Sequence, residues 1–140
     1  MSRRFYRVLA FIILFLIFSN SMLNAEISST QSGFIVHLAQ SILGWVNLDF
    51  EFDTLSLLIR KLAHFLEFFA LGFTLSKGWS LKFYYGVLIL LGVAVTDETI
   101  QFFSEGRALS FIDMTIDLFG GLVGILIAYV SLKQSKKKED

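Results

Sequence analysis

From Phe5 to Leu23 the chain is almost unbroken in apolar residues, but its densest part, Val8 to Phe18, gives way to Ser19, Asn20 and Ser21. A helix crossing a bilayer needs about 20 predominantly apolar residues, so this stretch is short, although Arg3, Arg4 and Arg7 flank it as membrane-bounding residues do. We read residues 1–25 as an uncleaved first span. The alternative is a signal peptide with Arg3 and Arg4 as its basic region; against it, Leu23 occupies the position three before a cut after Ala25, where a small residue is preferred. Either reading places residues 26–53 outside the cytoplasm. Within them, Phe34, Ile35, Leu38, Ile42 and Trp45 recur at helical spacing against Ser32, His37, Gln40 and Ser41. This predicts an interfacial helix over Gly33 to Val46, lying on the outer leaflet with His37 on its solvated face.

Residues 54–132 predict three more helices. The first is capped by Asp53 or Thr54 and ends near Ser76, followed by a polar joint at Lys77-Gly78-Trp79-Ser80. The next runs from Lys82 to about Phe103, and Glu105-Gly106-Arg107 makes the turn. The last extends from Phe111 to about Leu132, where Lys133 halts it and residues 133–140 form a basic tail. The expected fold is all-α: a polytopic transmembrane bundle of about four spans with one short extracytoplasmic interfacial helix.

Composition strengthens this reading. With 55% hydrophobic and 17% charged residues, and a mean hydropathy of +0.68, the chain lacks the polar surface to coat a water-soluble particle of its length. No cysteine is present, so neither a disulfide nor a thiolate metal site can form. The formal charge is zero and the one basic run, Lys136-Lys137-Lys138, stands at the end of the chain, which excludes a nucleic-acid footprint. No proline-rich or Gly/Ser-rich linker divides the chain, and it is read as one domain. Of the 12 basic residues, Arg3, Arg4, Arg7, Lys77, Lys82, Lys133 and the three terminal lysines fall on one side if both termini of this cell-membrane protein are cytoplasmic. The exceptions, Arg60, Lys61 and Arg107, share their helix sections with His64, Glu67, Asp97, Glu98, Asp113 and Asp117.

Arg60 lies 17 residues from Lys77, Asp97 15 from Lys82, and Asp117 16 from Lys133. At 1.5 Å per residue these three fall roughly 22 to 26 Å from the cytoplasmic boundary, while His64 and Glu67 fall deeper, Glu67 at roughly 15 Å. Arg60, His64 and Glu67 follow an i, i+4, i+7 stripe; Asp97 and Gln101 are four apart, as are Asp113 and Asp117. A lone charge facing lipid costs several kcal/mol, so the stripes are expected to face one another around a pocket open to the outer surface.

The run Arg60-Lys61-x-x-His64-Phe65-x-Glu67-Phe68, followed by Asp97-Glu98-x-x-Gln101-x-Phe103, Gly106-Arg107, Ser110, Asp113 and Gly120 to Gly124, resembles the VanZ-like membrane proteins. The resemblance covers roughly Thr54 to Leu132. Two departures are Asp117, where the family pattern usually has asparagine, and Glu105, where a proline often precedes the Gly-Arg pair. The family is named for a protein that raises tolerance to the glycopeptide teicoplanin, so the resemblance implies a bacterial cell-envelope role linked to antibiotic resistance. It supplies no mechanism.

Three functions compete for the polar residues. In the first, an anionic amphiphile, a membrane lipid or lipid-linked cell-wall precursor, presents its phosphate to Arg60, Lys61 and Arg107, with Gln101, Ser110 and Asp117 completing the head-group pocket. His64 would act as general acid or base, with Glu67, Asp97, Glu98 and Asp113 as the other catalytic candidates. No nucleophile motif surrounds Ser110, Thr96, Thr99 or Thr115, so the reaction, and whether there is one, is left open. The second function is structural: an ion-pair network that only fixes helix packing, with Gly120-x-x-x-Gly124 allowing close approach. The third is a proton-coupled transporter using stacked pairs Arg60/Asp97 and His64/Glu67, opposed by a polar track that stops near the midplane. No cofactor is assigned. His64, Glu67, Asp97, Glu98 and Asp113 could instead ligate a divalent cation, which the three nearby basic residues oppose. The oligomeric state is not encoded in any motif.

Overall fold

The computed structural model describes residues 2–45 and 50–137, which form five helices and no strand. Helix α1 (Arg3–Ser21) begins where the Ser2 side chain accepts from the Phe5 amide. Helix α2 (Ala25–Gly44) is capped by Asn24, whose Oδ1 accepts from the Ile27 amide at 2.8 Å. It therefore starts eight residues before the expected Gly33, and the expected end at Val46 lies outside the described residues. Its Ser32 is buried rather than solvated, 3.1 Å from the Ser56 hydroxyl, whereas Phe34, Leu38, Ile42 and Trp45 point outward.

Helix α3 (Phe52–Trp79) takes Glu51 as its N-cap, without a side-chain hydrogen bond, so neither Asp53 nor Thr54 caps it. It also runs through the expected joint to Trp79. The chain turns at Ser80, which adopts a left-handed conformation at φ 50°. Helix α4 (Phe83–Phe103) follows, Gly106 at φ 76° reverses the chain, and helix α5 (Phe111–Lys137) continues five residues past the expected end at Leu132. Lysine is a good helix former, so Lys133 bounds the apolar stretch without ending the helix.

Three helices are long and apolar enough to cross a membrane: α1, α4, and α5 over Phe111–Gln134. The expected fourth, α3, does not meet that description because Asp53, Arg60, Lys61, Glu67 and Lys77 interrupt it. Its 28 residues nevertheless extend roughly 42 Å. It lies antiparallel along α5, with Lys61 against Asp113 at one end and Lys77 bonded to Ser131 at 2.6 Å at the other.

α3 is the hub, touching each of the other four helices. Its closest partner is α5: a Cβ built on Gly120 would stand 2.4 Å from the Phe65 carbonyl oxygen, and one on Gly124 2.1 Å from that of Phe69. The two backbones meet only because glycine stands there. Around this seam, Ile13 and Ile17 of α1, Phe68, Leu71 and Leu75 of α3, Leu90 and Val93 of α4 and Ile125 of α5 form the apolar core. The outward faces are also apolar, with Phe15 70% and Phe119 61% exposed, as in a bundle solvated by lipid rather than water.

The core separates two polar ends. At one, Arg7 Nε donates to the Gly78 carbonyl at 3.0 Å while its guanidinium lies 5.4 Å from the Trp79 ring, and Arg3 and Lys133 border a common cavity. At the other end His64, Glu67, Asp97, Glu98, Asp113 and Asp117 gather with Arg60, Lys61 and Arg107.

Candidate functional site

His64 is the centre of the polar end. Its Nδ1 lies 3.9 Å from Asp97 Oδ2, 3.9 Å from Asp117 Oδ1 and 4.0 Å from Glu67 Oε2. Three carboxylates from three helices thus surround one imidazole nitrogen, each beyond hydrogen-bond length. A depth count along single helices places His64 below Asp97 and Asp117; the structure sets all three together, with Arg60 one turn away along α3. Helices α3, α4 and α5 do not begin their spans at equivalent lysines, since Lys77 is inside α3 whereas Lys82 precedes α4.

Asp97 is fully buried and firmly held: Oδ1 accepts from Ser21, and Oδ2 accepts from Gln101 Nε2, one turn on, at 2.7 Å. Ser21 Oγ is also 2.9 Å from the Ile17 carbonyl, and its single proton serves one acceptor at a time. Glu67 accepts from Asn20 Nδ2 at 2.7 Å. Glu98, fully buried, accepts from the Ser110 amide at 2.7 Å through Oε2, while its Oε1 has no partner. Ser110 Oγ in turn accepts from the Asp113 amide at 3.2 Å, three residues on at the start of α5. That is N-cap chemistry, and it accounts for this hydroxyl without nucleophilic work.

The cations are distributed unequally. Lys61 pairs with Asp113, both about a third exposed. Arg107 Nη2 donates to Ser28 Oγ at 2.8 Å. Burial, and after it the like charge of Arg60, pushes the Arg107 guanidinium below its ordinary pKa, with Asp97, Glu98 and Asp113 acting the other way. Arg60 forms no ion pair with Asp97 among the described residues, and its buried Nε has no hydrogen-bond partner. A cavity of about 180 Å³ opens beside these groups. Arg60, Lys61, His64, Gln101, Arg107, Asp113 and Asp117 form its polar wall, and Leu57, Ala108 and Ile116 its apolar one. A second cavity, about 260 Å³, reaches Arg60, His64 and Arg107 from the side of α1 and α2.

The eleven residues singled out from sequence are therefore brought to one end of the bundle, though Asp97, Glu98 and Ser110 border neither cavity, the last two meeting each other. Sequence reasoning missed Asn20, Ser21 and Ser28. The first two are legible in the sequence only as polar residues that close an apolar helix and shorten its span.

These features define an all-helical protein with span-length apolar helices and a buried ionisable cluster at one end. A family model places it more narrowly: residues 6–132 match VanZ/LLP1, so the chain belongs to that family. The match begins in α1, well before the Thr54 limit of the motifs recognised from sequence, in keeping with the two side chains that α1 sends to the cluster. No curated protein and no solved structure matches the chain.

Proposed function

We propose that this VanZ/LLP1 family member is a multi-pass cell-membrane protein that receives the anionic head group of an envelope lipid or lipid-linked cell-wall precursor at Arg60, Lys61 and Arg107. The observation that carries the reading is Arg60: a buried guanidinium nitrogen without a partner, beside a cavity into which two other cations and His64 also project. A phosphate supplies the missing acceptor and matches the planar donor fork of arginine. The acyl or prenyl chain would stay among the exposed apolar side chains of α3 and α5, such as Leu57 and Ile112.

The structural alternative is disfavoured by the open state of the network. A cluster kept only for packing should satisfy its members, because a half-satisfied buried network costs more than an apolar core. Here Arg60, His64, Glu98 and Asp117 each retain an unpartnered buried atom. A proton path is disfavoured by the layer of Phe68, Leu71, Leu75, Leu90 and Ile125 between the cluster and the basic end. With α3 counted as a span, the basic end is cytoplasmic, both termini lie on that side, and the cavity opens outward. A cell-wall precursor as occupant would connect the site with teicoplanin tolerance.

The test is a mass-spectrometric comparison of envelope lipids and lipid-linked precursors from cells expressing the wild type or Asp97→Asn at matched membrane levels. A lipid species that changes with the wild type and reverts in the variant supports action on that lipid, and its altered group identifies the reaction. Identical profiles with both proteins folded remove a reaction from the proposal and leave binding alone.

A further inference from the structure

We propose that His64, Asp97 and Asp117 form a binding site for one divalent transition-metal ion, Zn²⁺ or Mn²⁺. Each of the three offers one ligand atom, and these atoms lie within 4.8 Å of one another, on α3, α4 and α5. His64 Nδ1 stands 3.9 Å from both Asp97 Oδ2 and Asp117 Oδ1. That is too long for a hydrogen bond, but ligand atoms of a tetrahedral zinc site with bonds near 2.1 Å stand about 3.4 Å apart, so small side-chain rotations close the set.

A second observation points the same way. Asp117 is 1% exposed, yet neither carboxylate oxygen has a hydrogen-bond partner, and His64 Nδ1, which faces it, has none either. Native proteins leave few buried polar atoms in that state, and three sharing one point call for a common partner. Asp97 is prepared differently: Ser21 and Gln101 hold its two oxygens, fixing the carboxylate as supporting partners fix a metal ligand.

Charge gives a third argument. Five carboxyl groups, Glu67, Asp97, Glu98, Asp113 and Asp117, outnumber the three cations Arg60, Lys61 and Arg107. A divalent ion on the deprotonated carboxylates of Asp97 and Asp117 offsets that excess of acids. Of the nearby cations, Lys61 is neutralised by Asp113, while Arg107 donates to the neutral Ser28 hydroxyl and Arg60 has no ion pair among the described residues, so four carboxyl groups face two uncompensated cations. One imidazole with two carboxylates suits Zn²⁺ or Mn²⁺ better than Mg²⁺ or Ca²⁺, which favour all-oxygen shells. Three protein ligands would leave a coordination position free, and two of them, His64 and Asp117, line the cavity of about 180 Å³.

The inference stands apart from the head-group reading, and its test contains no lipid substrate. Tag-free full-length protein in detergent is stripped with EDTA, reloaded with Zn²⁺ or Mn²⁺ separately, passed through gel filtration and analysed for metal. The wild type and Asp53→Asn, a change at the exposed start of α3, should each retain one equivalent. Asp117→Asn and His64→Gln should weaken binding by more than the roughly 10- to 100-fold typical of losing a supporting partner. X-ray absorption of the zinc-loaded wild type, which does not depend on any variant folding, should show a single imidazole among oxygen ligands. A reloaded wild type that holds neither metal, a spectrum without imidazole, or folded variants that bind like the wild type would each overturn the proposal.

Discussion

Gly124→Ala probes the seam on which the site rests. The new Cβ would stand 2.1 Å from the Phe69 carbonyl oxygen and 2.9 Å from both the Phe69 carbonyl carbon and the Phe73 amide nitrogen. Every one of these neighbours is α3 backbone, so no side-chain rotation relieves the contact and the two helices must move apart by about 1 Å to restore ordinary carbon–oxygen separation. Overpacking of this kind costs about 1–3 kcal/mol. At roughly 2–4 °C per kcal/mol for a chain of this size, the melting temperature falls by roughly 2–12 °C. Gly92→Ala is the control: nothing lies within 4 Å of its Cβ, and alanine is the better helix former. Thermal unfolding of both variants in one detergent, followed by the fluorescence of Trp45 and Trp79, gives the comparison. A Gly124→Ala protein that melts with the wild type would refute the claimed backbone contact between α3 and α5.

Ser21→Ala removes a buried donor from Asp97 and should cost about 1–3 kcal/mol in the same assay, although Ser21 was no part of the motif read from sequence. Phe68→Ala, at a fully buried position facing the other helices, should cost about 3–5 kcal/mol. A double-mutant cycle on Lys61→Ala and Asp113→Ala should return a coupling below about 1 kcal/mol, because the pair is a third exposed and screened; a larger value would mean that this pair is sealed from solvent. Expression of the wild type should raise the teicoplanin concentration that cells tolerate and Arg60→Gln should not, which a dilution series at matched protein levels decides.

The stripes of α3, α4 and α5 were legible because an ionisable residue inside an apolar helix has few places to point. Arg60, His64, Asp97, Gln101 and Asp117 could be assigned to one site from spacing alone, and the structure brings them together. Helix ends were less legible. Residues 28–32 read Ser-Ser-Thr-Gln-Ser, which resembles a loop by composition, and only the Asn24 cap reveals that α2 begins before them. Lys77-Gly78-Trp79-Ser80 resembles a joint, yet Gly78 belongs to the helix, where a Cβ would meet Arg7 Cγ at 3.1 Å. The approach of α1 was beyond reach: Asn20 and Ser21 acquire roles only when packing places them against Glu67 and Asp97, 47 and 76 residues away. The pairing Arg60/Asp97 failed for the same reason, since depth counted along single helices carries no information about rotation or offset between them.

The central claim is that Arg60 and its neighbours receive an anionic head group. Native mass spectrometry of protein released from mixed phosphatidylglycerol and phosphatidylcholine bilayers tests it most directly. The wild type and Asp53→Asn should retain phosphatidylglycerol in preference to phosphatidylcholine, and Arg60→Gln should lose that preference while remaining folded. Equal retention of the two lipids by the wild type, or an unchanged preference in Arg60→Gln, would contradict the account.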